Sequence, residues 1–238
     1  FAAVGNFDYL AAEALANGGV FTDLVTTALS QGDADRGFTL DYLDAVDDLS
    51  VLAASQDIDV SFPWILPDCM NQDVLSNADK SLCNDFIASR PYFLIKMATY
   101  VASDSKFADG TDVTALANAI VCRPAGQIDF DLTQRGIVQD GSNLAQPASI
   151  ADCFDGLIAG RYDMVSVDQR QADHAFEDMQ NADQIVELKY LSHPLTLHAL
   201  APRISASSRV NLAVIDRGMR DLGTSGAWFD IVTDHLSR

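Results

Sequence analysis

An α/β protein is predicted by three features of the sequence. Short apolar strand-like runs alternate with amphipathic helical stretches, Gly, Asn and Pro punctuate them, and residues 150–168 compress the pattern into one helix–Gly–strand unit. In that unit Ile150, Phe154, Leu157 and Ile158 recur at helical spacing, and Gly160 is a helix C-terminal stop. Met164, Val165 and Val167 then form a strand-like run closed by Asp168. In open α/β sheets the C-terminal end of a strand faces the ligand crevice, so Asp168 is a candidate ligand carboxylate. An acid in a solvated loop is the competing reading.

The remaining elements follow in order. Residues 1–4 read as a buried strand, broken by Gly5 and Asn6, after which Phe7, Asp8 and Tyr9 project from a loop. Gly18 and Gly19 turn the chain into a helix over 20–31, with Phe21, Leu24, Val25, Ala28 and Leu29 on one face. A second strand is expected over 38–40 and a weakly amphipathic helix over 44–54. Another strand, over 58–62, should stop at Pro63 and Trp64, because Pro cannot donate to a central ladder. The stretch 70–82 reads as a polar loop, and residues 86–101 contain an extended run long enough to carry the chain between two lobes. A second α/β unit opens after the turn dipeptide Asp109-Gly110, with a short helix over 113–118, a strand over 119–122, a turn over 123–127 and a helix starting near Asp129. Ser149 is the candidate N-cap of the 150–158 helix. Helix 169–180, strand 185–190, a second crossing at 191–194 and a returning strand over 195–200 complete that part. A helix over 207–222, ended by Gly223, and a last one over 226–231 close the chain.

Composition narrows the function. At 48% hydrophobic and 21% charged, the chain has ample material for a core. No apolar run approaches the roughly 20 residues of a membrane span. The 15 basic against 34 acidic residues give a formal charge of −19, which argues against nucleic acid and other polyanionic partners. That charge favours cationic or zwitterionic ligands by long-range attraction, alongside its plain role in surface solubility. The four cysteines form no CxxC pair, so neither a zinc site nor a redox motif is expected. Cys69 and Cys83 bracket the polar stretch, Cys122 ends an apolar strand, and Cys153 lies in the 150–158 helix. We read them as Cys69–Cys83 and Cys122–Cys153 disulfides, which imply an oxidising compartment; four reduced buried thiols are the alternative. The chain starts at Phe1 inside an apolar run and without an initiator Met, so removal of an upstream signal segment is expected. It ends at Arg238 without a transmembrane segment, which favours a free protein over a membrane-tethered sensor.

Several segments, in order, resemble the extracellular solute-binding proteins of family 3, the polar amino-acid-binding type. Residues 152–168, with Gly160, Arg161, Tyr162, Asp163 and Asp168, are similar to the family's helix–"aGrvDav–D" unit. Ser89-Arg90-Pro91-Tyr92-Phe93 resembles its "S-x-P-Y" entry to the first hinge. Residues 116–126 resemble a strand and turn of lobe two, and residues 215–228 its C-terminal helices. The resemblance implies a two-lobe Venus flytrap fold, each lobe a mostly parallel sheet flanked by helices. Lobe one would hold residues 1–95 and 194–238, lobe two residues 96–193, with hinge crossings near 93–99 and 191–195. It also implies a periplasmic, monomeric binding component of an ABC importer that clamps a small polar or zwitterionic ligand between its lobes and presents the closed form to a membrane permease.

Carried over by position, Asp168 pairs with a ligand amino group. Phe7, Asp8, Tyr9 and the Pro63-Trp64 segment line lobe one, and Arg123 to Gly126 lines lobe two with backbone N–H groups. The family's lobe-one "S/T-x-T-x-x-R" segment, whose Arg holds a ligand α-carboxylate, is replaced here by Pro63-Trp64-Ile-Leu-Pro-Asp68-Cys69. Arg123 and Arg90 are the substitute cations. Trp64 is a candidate wall for an apolar or quaternary-ammonium group through cation–π attraction, sealing of the core edge being the other reading. His174, His193, His198 and His235 show no metal spacing, so no metal is expected. With no nucleophile elbow and no phosphate-cradling loop, neither a catalytic residue nor a cofactor is expected. The fold also hosts ligand sensors and a few dehydratases and lyases, which stand as alternative functions.

Overall fold

The computed structural model of the chain describes residues 1–4, 9–35, 37–43, 58–108, 116, 118–139 and 141–237. Along the chain these form β1 (Ala2–Val4), α1 (Val20–Gly32), β2 (Asp41–Leu43), β3 (Ser61–Ile65), α2 (Asn77–Asn84), β4 (Phe86–Ala88) and β5 (Phe93–Ala102). There follow β6 (Val121–Cys122), α3 (Phe130–Gln134), β7 (Leu144–Ala145), α4 (Ile150–Ile158), β8 (Met164–Asp168) and α5 (Gln169–Glu177). The chain closes with β9 (Ile185–Glu187), β10 (His193–Pro202), α6 (Ala206–Ser225) and α7 (Ala227–Leu236). The helix expected over 44–54 and most of that expected over 113–118 lie outside the described residues, as do Phe7 and Asp8. The chain divides into two compact units, one of Phe1–Met70, Ser76–Phe93 and Thr196–Arg238, the other of Asn71–Leu75 and Leu94–Leu195.

The first unit is built on a sheet in the order β2-β1-β3-β10, with β4 on the far side of β10. β1 pairs in parallel with β2 and β3, whereas β10 is antiparallel to β3 and β4. Two strand boundaries differ from the sequence expectation. The second strand starts at Asp41, because Ala2 pairs with Asp41, and Phe38 instead stacks on the ring of Phe1 at 5.7 Å. β3 does not stop at Pro63 but runs through it to Ile65, with a cis Phe62–Pro63 peptide. A ladder tolerates the missing N–H where it is already irregular. The β3–β10 register shifts between His198 and Leu200, the stretch facing Pro63.

Helix packing on this sheet depends on close backbone approach. Phe21 of α1 stacks on Phe62 of β3 at 5.8 Å and lies 6.1 Å from Tyr92. α1 and α6 pack without side chains between them at two points. A Cβ on Gly218 would fall 1.8 Å from the Ala28 carbonyl oxygen, and one on Gly32 would fall 2.5 Å from that of Val214. α6 runs past Gly223 to Ser225, and it is Gly226, at φ 85°, that takes the left-handed position ending it. The polar stretch between Cys69 and Cys83 is not all loop. Ser76 caps α2 by accepting the Asp79 N–H at 3.1 Å, while its hydroxyl donates back to the Asp79 carboxylate at 2.6 Å. Cys69 and Cys83 are bonded, closing this segment.

The second unit carries β5-β8-β6-β7, with β9 on β5; β8, β6 and β7 are parallel and β5 runs against β8. Both faces of the sheet are buried, as alternation along the strands requires. Val101, Val121 and Met164 face Phe107, Leu116, Leu132 and Ile137. Tyr100, Cys122, Val165 and Val167 face Cys153, Phe154, Leu157 and Ala172. Cys122 and Cys153 are bonded, so β6 is tied to α4 across this second face. Each disulfide restricts the unfolded chain by about 3–4 kcal/mol for loops of 14 and 31 residues. α4 begins at Ser149, which accepts the Asp152 N–H, and ends in a Schellman motif. There Arg161 N donates to Gly156 O, Gly160 N donates to Leu157 O, and Gly160 adopts φ 68°.

A Gly218→Ala substitution tests the α1–α6 contact. Its methyl group has to push two backbones apart, so a loss of about 1–3 kcal/mol is expected, read as a lower urea midpoint with an unchanged m-value. Gly223→Ala, in open space on the same helix, should instead be neutral or slightly stabilising.

Candidate functional site

The chemistry-bearing residues of the second unit gather at the C-terminal ends of its parallel strands. Asp168 ends β8 and is the N-cap of α5. Its Oδ1 accepts the N–H groups of Arg170 at 3.0 Å and Gln171 at 3.2 Å, and the residue is 1% exposed. A carboxylate at a helix start is stabilised by these donors and by the helix dipole. The adjoining strand β6 leads into the turn 123–127, in which Gln127 N donates to Pro124 O and Gly126 takes φ 80°. Gln127 Nε2 reaches Gln171 Oε1 at 3.1 Å, joining this turn to the helix that Asp168 caps. The Oε1 of Gln127 is buried and has no hydrogen-bond partner among the described residues. Gly126 is exposed, but the N–H groups on either side of it, of Ala125 and Gln127, are taken by Pro147 O and Pro124 O.

Arg123 does not serve as the ligand cation expected from the sequence. It is fully buried and all five of its N–H donors are used. Nε donates to Ser166 O at 3.0 Å, Nη1 to Ile128 O at 2.7 Å and to Asp131 Oδ1, and Nη2 to Asp131 Oδ2 at 3.1 Å and Ser166 Oγ at 2.8 Å. Asp131 also faces His193 Nε2 at 3.1 Å. Burial alone would push the Asp131 carboxyl up, but the Arg123 guanidinium and the His193 bond outweigh it and hold the group well below the usual carboxylate range. Ser166 lies two residues before Asp168 in β8, on the same face of the sheet, so Arg123 braces the strand that delivers Asp168. Sequence reasoning missed Asp131, Ser166, Gln127 and Gln171. A buried Arg demands a nearby carboxylate, but nothing in the sequence revealed that Arg123 is buried.

The candidate residues of the first unit have a different setting. Trp64 is 7% exposed within β3, its indole N–H donating to Ser61 Oγ at 2.9 Å, so it offers little ring face as a wall and acts as a core residue. Across from it in β10, His198 is buried between Ser89 O and Thr196 Oγ1, each 2.9 Å from a ring nitrogen. A carbonyl only accepts, so Nδ1 carries the proton and Nε2 accepts from Thr196. Burial lowers the His198 pKa from its ordinary value. Tyr9 is half-buried, with its carbonyl accepting the Val20 N–H at 3.3 Å at the start of α1. Arg90 is exposed, and its backbone N–H donates to Asp216 Oδ1 at 3.1 Å. Tyr92 donates its hydroxyl to the same oxygen at 2.9 Å, which anchors the segment 89–93 to α6 and leaves the Arg90 side chain at the surface.

No protein-family model matches the sequence, and no curated protein matches it. Solved structures do share its architecture along essentially the whole chain. The arginine-, lysine-, histidine-binding protein ArtJ from Geobacillus stearothermophilus superposes with a TM-score of 0.66 at 14% identity, covering 100% of this chain and 94% of that one. The GluR0 ligand-binding core from Nostoc punctiforme, in complex with L-glutamate, gives 0.67 at 13% identity, covering 100% and 98%. The fold is that of the periplasmic binding proteins. A histidine kinase sensor domain with similarity to such proteins matches equally well, with a TM-score of 0.66 at 17% identity over 99% of this chain and 94% of that one. At these identities the likeness establishes the fold.

The Arg123–Asp131 pair sets an acid limit on stability. Because the folded-state carboxyl binds its proton less readily than the unfolded chain does, its contribution is complete above about pH 4 and is lost as the pH falls through the folded-state value. Asp131→Asn leaves Arg123 buried and uncompensated, and is expected to cost about 3–5 kcal/mol at neutral pH. Urea denaturation across a pH series should also show a shallower acid slope in this variant than in the wild type.

Proposed function

We propose that the chain is the periplasmic solute-binding component of an ABC importer, taking a small polar ligand that contains an amine or is amino-acid-like. Asp168 carries this reading: a buried carboxylate, held by helix donors at the C-terminal end of a strand, is an acceptor suited to a ligand ammonium group. The net charge of −19 adds long-range attraction for a cation. The fold's occurrence in amino-acid-binding proteins supports the ligand class, and two disulfides with no free cysteine support an oxidising compartment. Among the described residues no helix is long and apolar enough to cross a membrane. With Arg123 committed to Asp131, Arg90 is the cation assigned to a ligand carboxylate, and Tyr9, Phe7 and Asp8 are assigned to the same ligand. The role is binding and delivery without turnover, by a monomer. A ligand-sensing domain is the second reading, favoured by the likeness to the histidine kinase sensor domain.

Thermal-shift measurements with amino acids, polyamines, betaines and small carboxylates test the proposal. A ligand at 100 times its Kd should stabilise the fold by about 2.7 kcal/mol. Asp168→Asn keeps an oxygen for the α5 donors but removes the charge, so it should weaken binding of the best amine by at least about tenfold, the loss of one charged hydrogen bond. Unchanged affinity in Asp168→Asn would remove Asp168 from the site. Consumption of any compound in the panel would overturn the binding role.

A further inference from the structure

The half-buried polar groups of the second unit include an arrangement outside the residues proposed for the ligand. Arg135 follows α3 as its C-cap and directs Nη1 to two acceptors, the Leu191 carbonyl at 2.8 Å and His193 Nδ1. On the other side of the ring, Nε2 lies 3.1 Å from Asp131 Oδ2. An arginine nitrogen only donates, so Nδ1 must be the lone-pair nitrogen, and Nε2 carries the proton that goes to Asp131. This neutral tautomer serves every contact but one. His193 Nδ1 also lies 3.1 Å from the Leu191 carbonyl, and in the neutral ring both of those atoms are acceptors. A proton on Nδ1 reverses that. The ring then gains a donor aimed at the carbonyl, and it sets an N–H and a positive charge against Arg135.

We propose that protonation of His193 exchanges the donor on the Leu191 carbonyl, with His193 Nδ1–H replacing Arg135, whose guanidinium is released from the turn to solvent. The charged groups around the ring set the direction of the exchange. From α3, Asp131 attracts the charged ring and Arg135 repels it; Arg123, behind Asp131, adds repulsion. On the ring's own segment Glu187 is already held by Lys96 at 2.6 Å and Ser192 at 2.7 Å. The Asp131–His193 bond tightens when the ring is charged, so the Arg135 contact is the one that yields. Burial first, and Arg123 after it, already draw the pKa of Arg135 below its ordinary value despite Asp131, and release removes that burial. The buried Leu191 keeps its backbone bond to Leu188 O at 2.9 Å and Asp131 keeps its bond to His193, so the exchange is local: it frees the Arg135 side chain from residues 191–193 without unfolding either segment.

Nitrogen NMR on the whole chain reads the exchange directly. At a high pH, where the spectrum shows one protonated ring nitrogen, that nitrogen should be Nε2, with the Arg135 guanidinium protected from hydrogen exchange relative to free arginine. At a lower pH, where the spectrum shows both ring nitrogens protonated, Arg135 protection should fall by up to about tenfold, the worth of one ordinary hydrogen bond. His193→Gln presents an oxygen to Arg135 and an NH2 to Asp131 but does not titrate, so in this variant Arg135 protection should be the same at both pH values. An Nδ1–H tautomer at the higher pH would overturn the proposal, as would wild-type protection that does not change, or an equal acid loss in His193→Gln. The first two outcomes need only the wild-type protein.

Discussion

The second unit depends on one buried charge being fully answered. Arg123 leaves β6 and is enclosed, and an unpaired guanidinium there would cost several kcal/mol, a large part of a domain's usual margin of stability. Asp131 accepts two of its hydrogen bonds, Ser166 two through its carbonyl and hydroxyl, and Ile128 one, so no donor is left over. These bonds cross from the end of one parallel strand to the next and to the start of α3. They fix the spacing of the strand ends in a place where apolar packing alone would leave the loops free. The Cys122–Cys153 bond acts at the adjoining residue, tying the same strand to α4 on the opposite face of the sheet.

Asp168 and Arg123 have opposite roles for related reasons. Both are charged and almost wholly buried, and both stand at the ends of neighbouring strands. Arg123 meets a carboxylate and is neutralised by it. Asp168 meets the backbone N–H groups of a helix start, which lower the cost of burying its charge. The first kind of arrangement braces two strand ends, and the second joins a strand end to the helix that follows it. In the first unit, polar burial is served by neutral groups: the His198 ring between Ser89 and Thr196, and the Trp64 indole on Ser61.

Local signals in the sequence were read correctly where a few adjacent residues contain the whole physical cause. Ser149 before an apolar helical run caps α4, Gly160 ends it, and the Met164-to-Asp168 run forms β8. The pairing Cys69–Cys83 and Cys122–Cys153, read from the elements that carry each cysteine, is the pairing observed. The errors come from causes that lie elsewhere in the chain. Pro63 continues a strand because the partner β10 is irregular opposite it, and Gly223 continues a helix because the left-handed position falls three residues later. Residues 77–84 are helical although they read as polar loop, since Ser76 caps a helix start there by accepting the Asp79 N–H.

By itself, then, the sequence determined the α/β class, the order of most elements, the compatible cysteine pairs and the placing of an acid at the end of β8. Each of these rests on hydrophobic period, caps and turn chemistry, which act over a few residues. Tertiary structure alone decided what each charged or aromatic candidate does. Arg123 became a brace because Asp131 and Ser166 arrive beside it from other elements, and Trp64 became core because β3 runs on through Pro63 and holds it inside the sheet, its indole N–H on Ser61. Gly32 and Gly218 matter only because two helices distant in sequence touch there. Burial and partnership are properties of residues brought together by the fold, and no short stretch of sequence contains both members of such a pair.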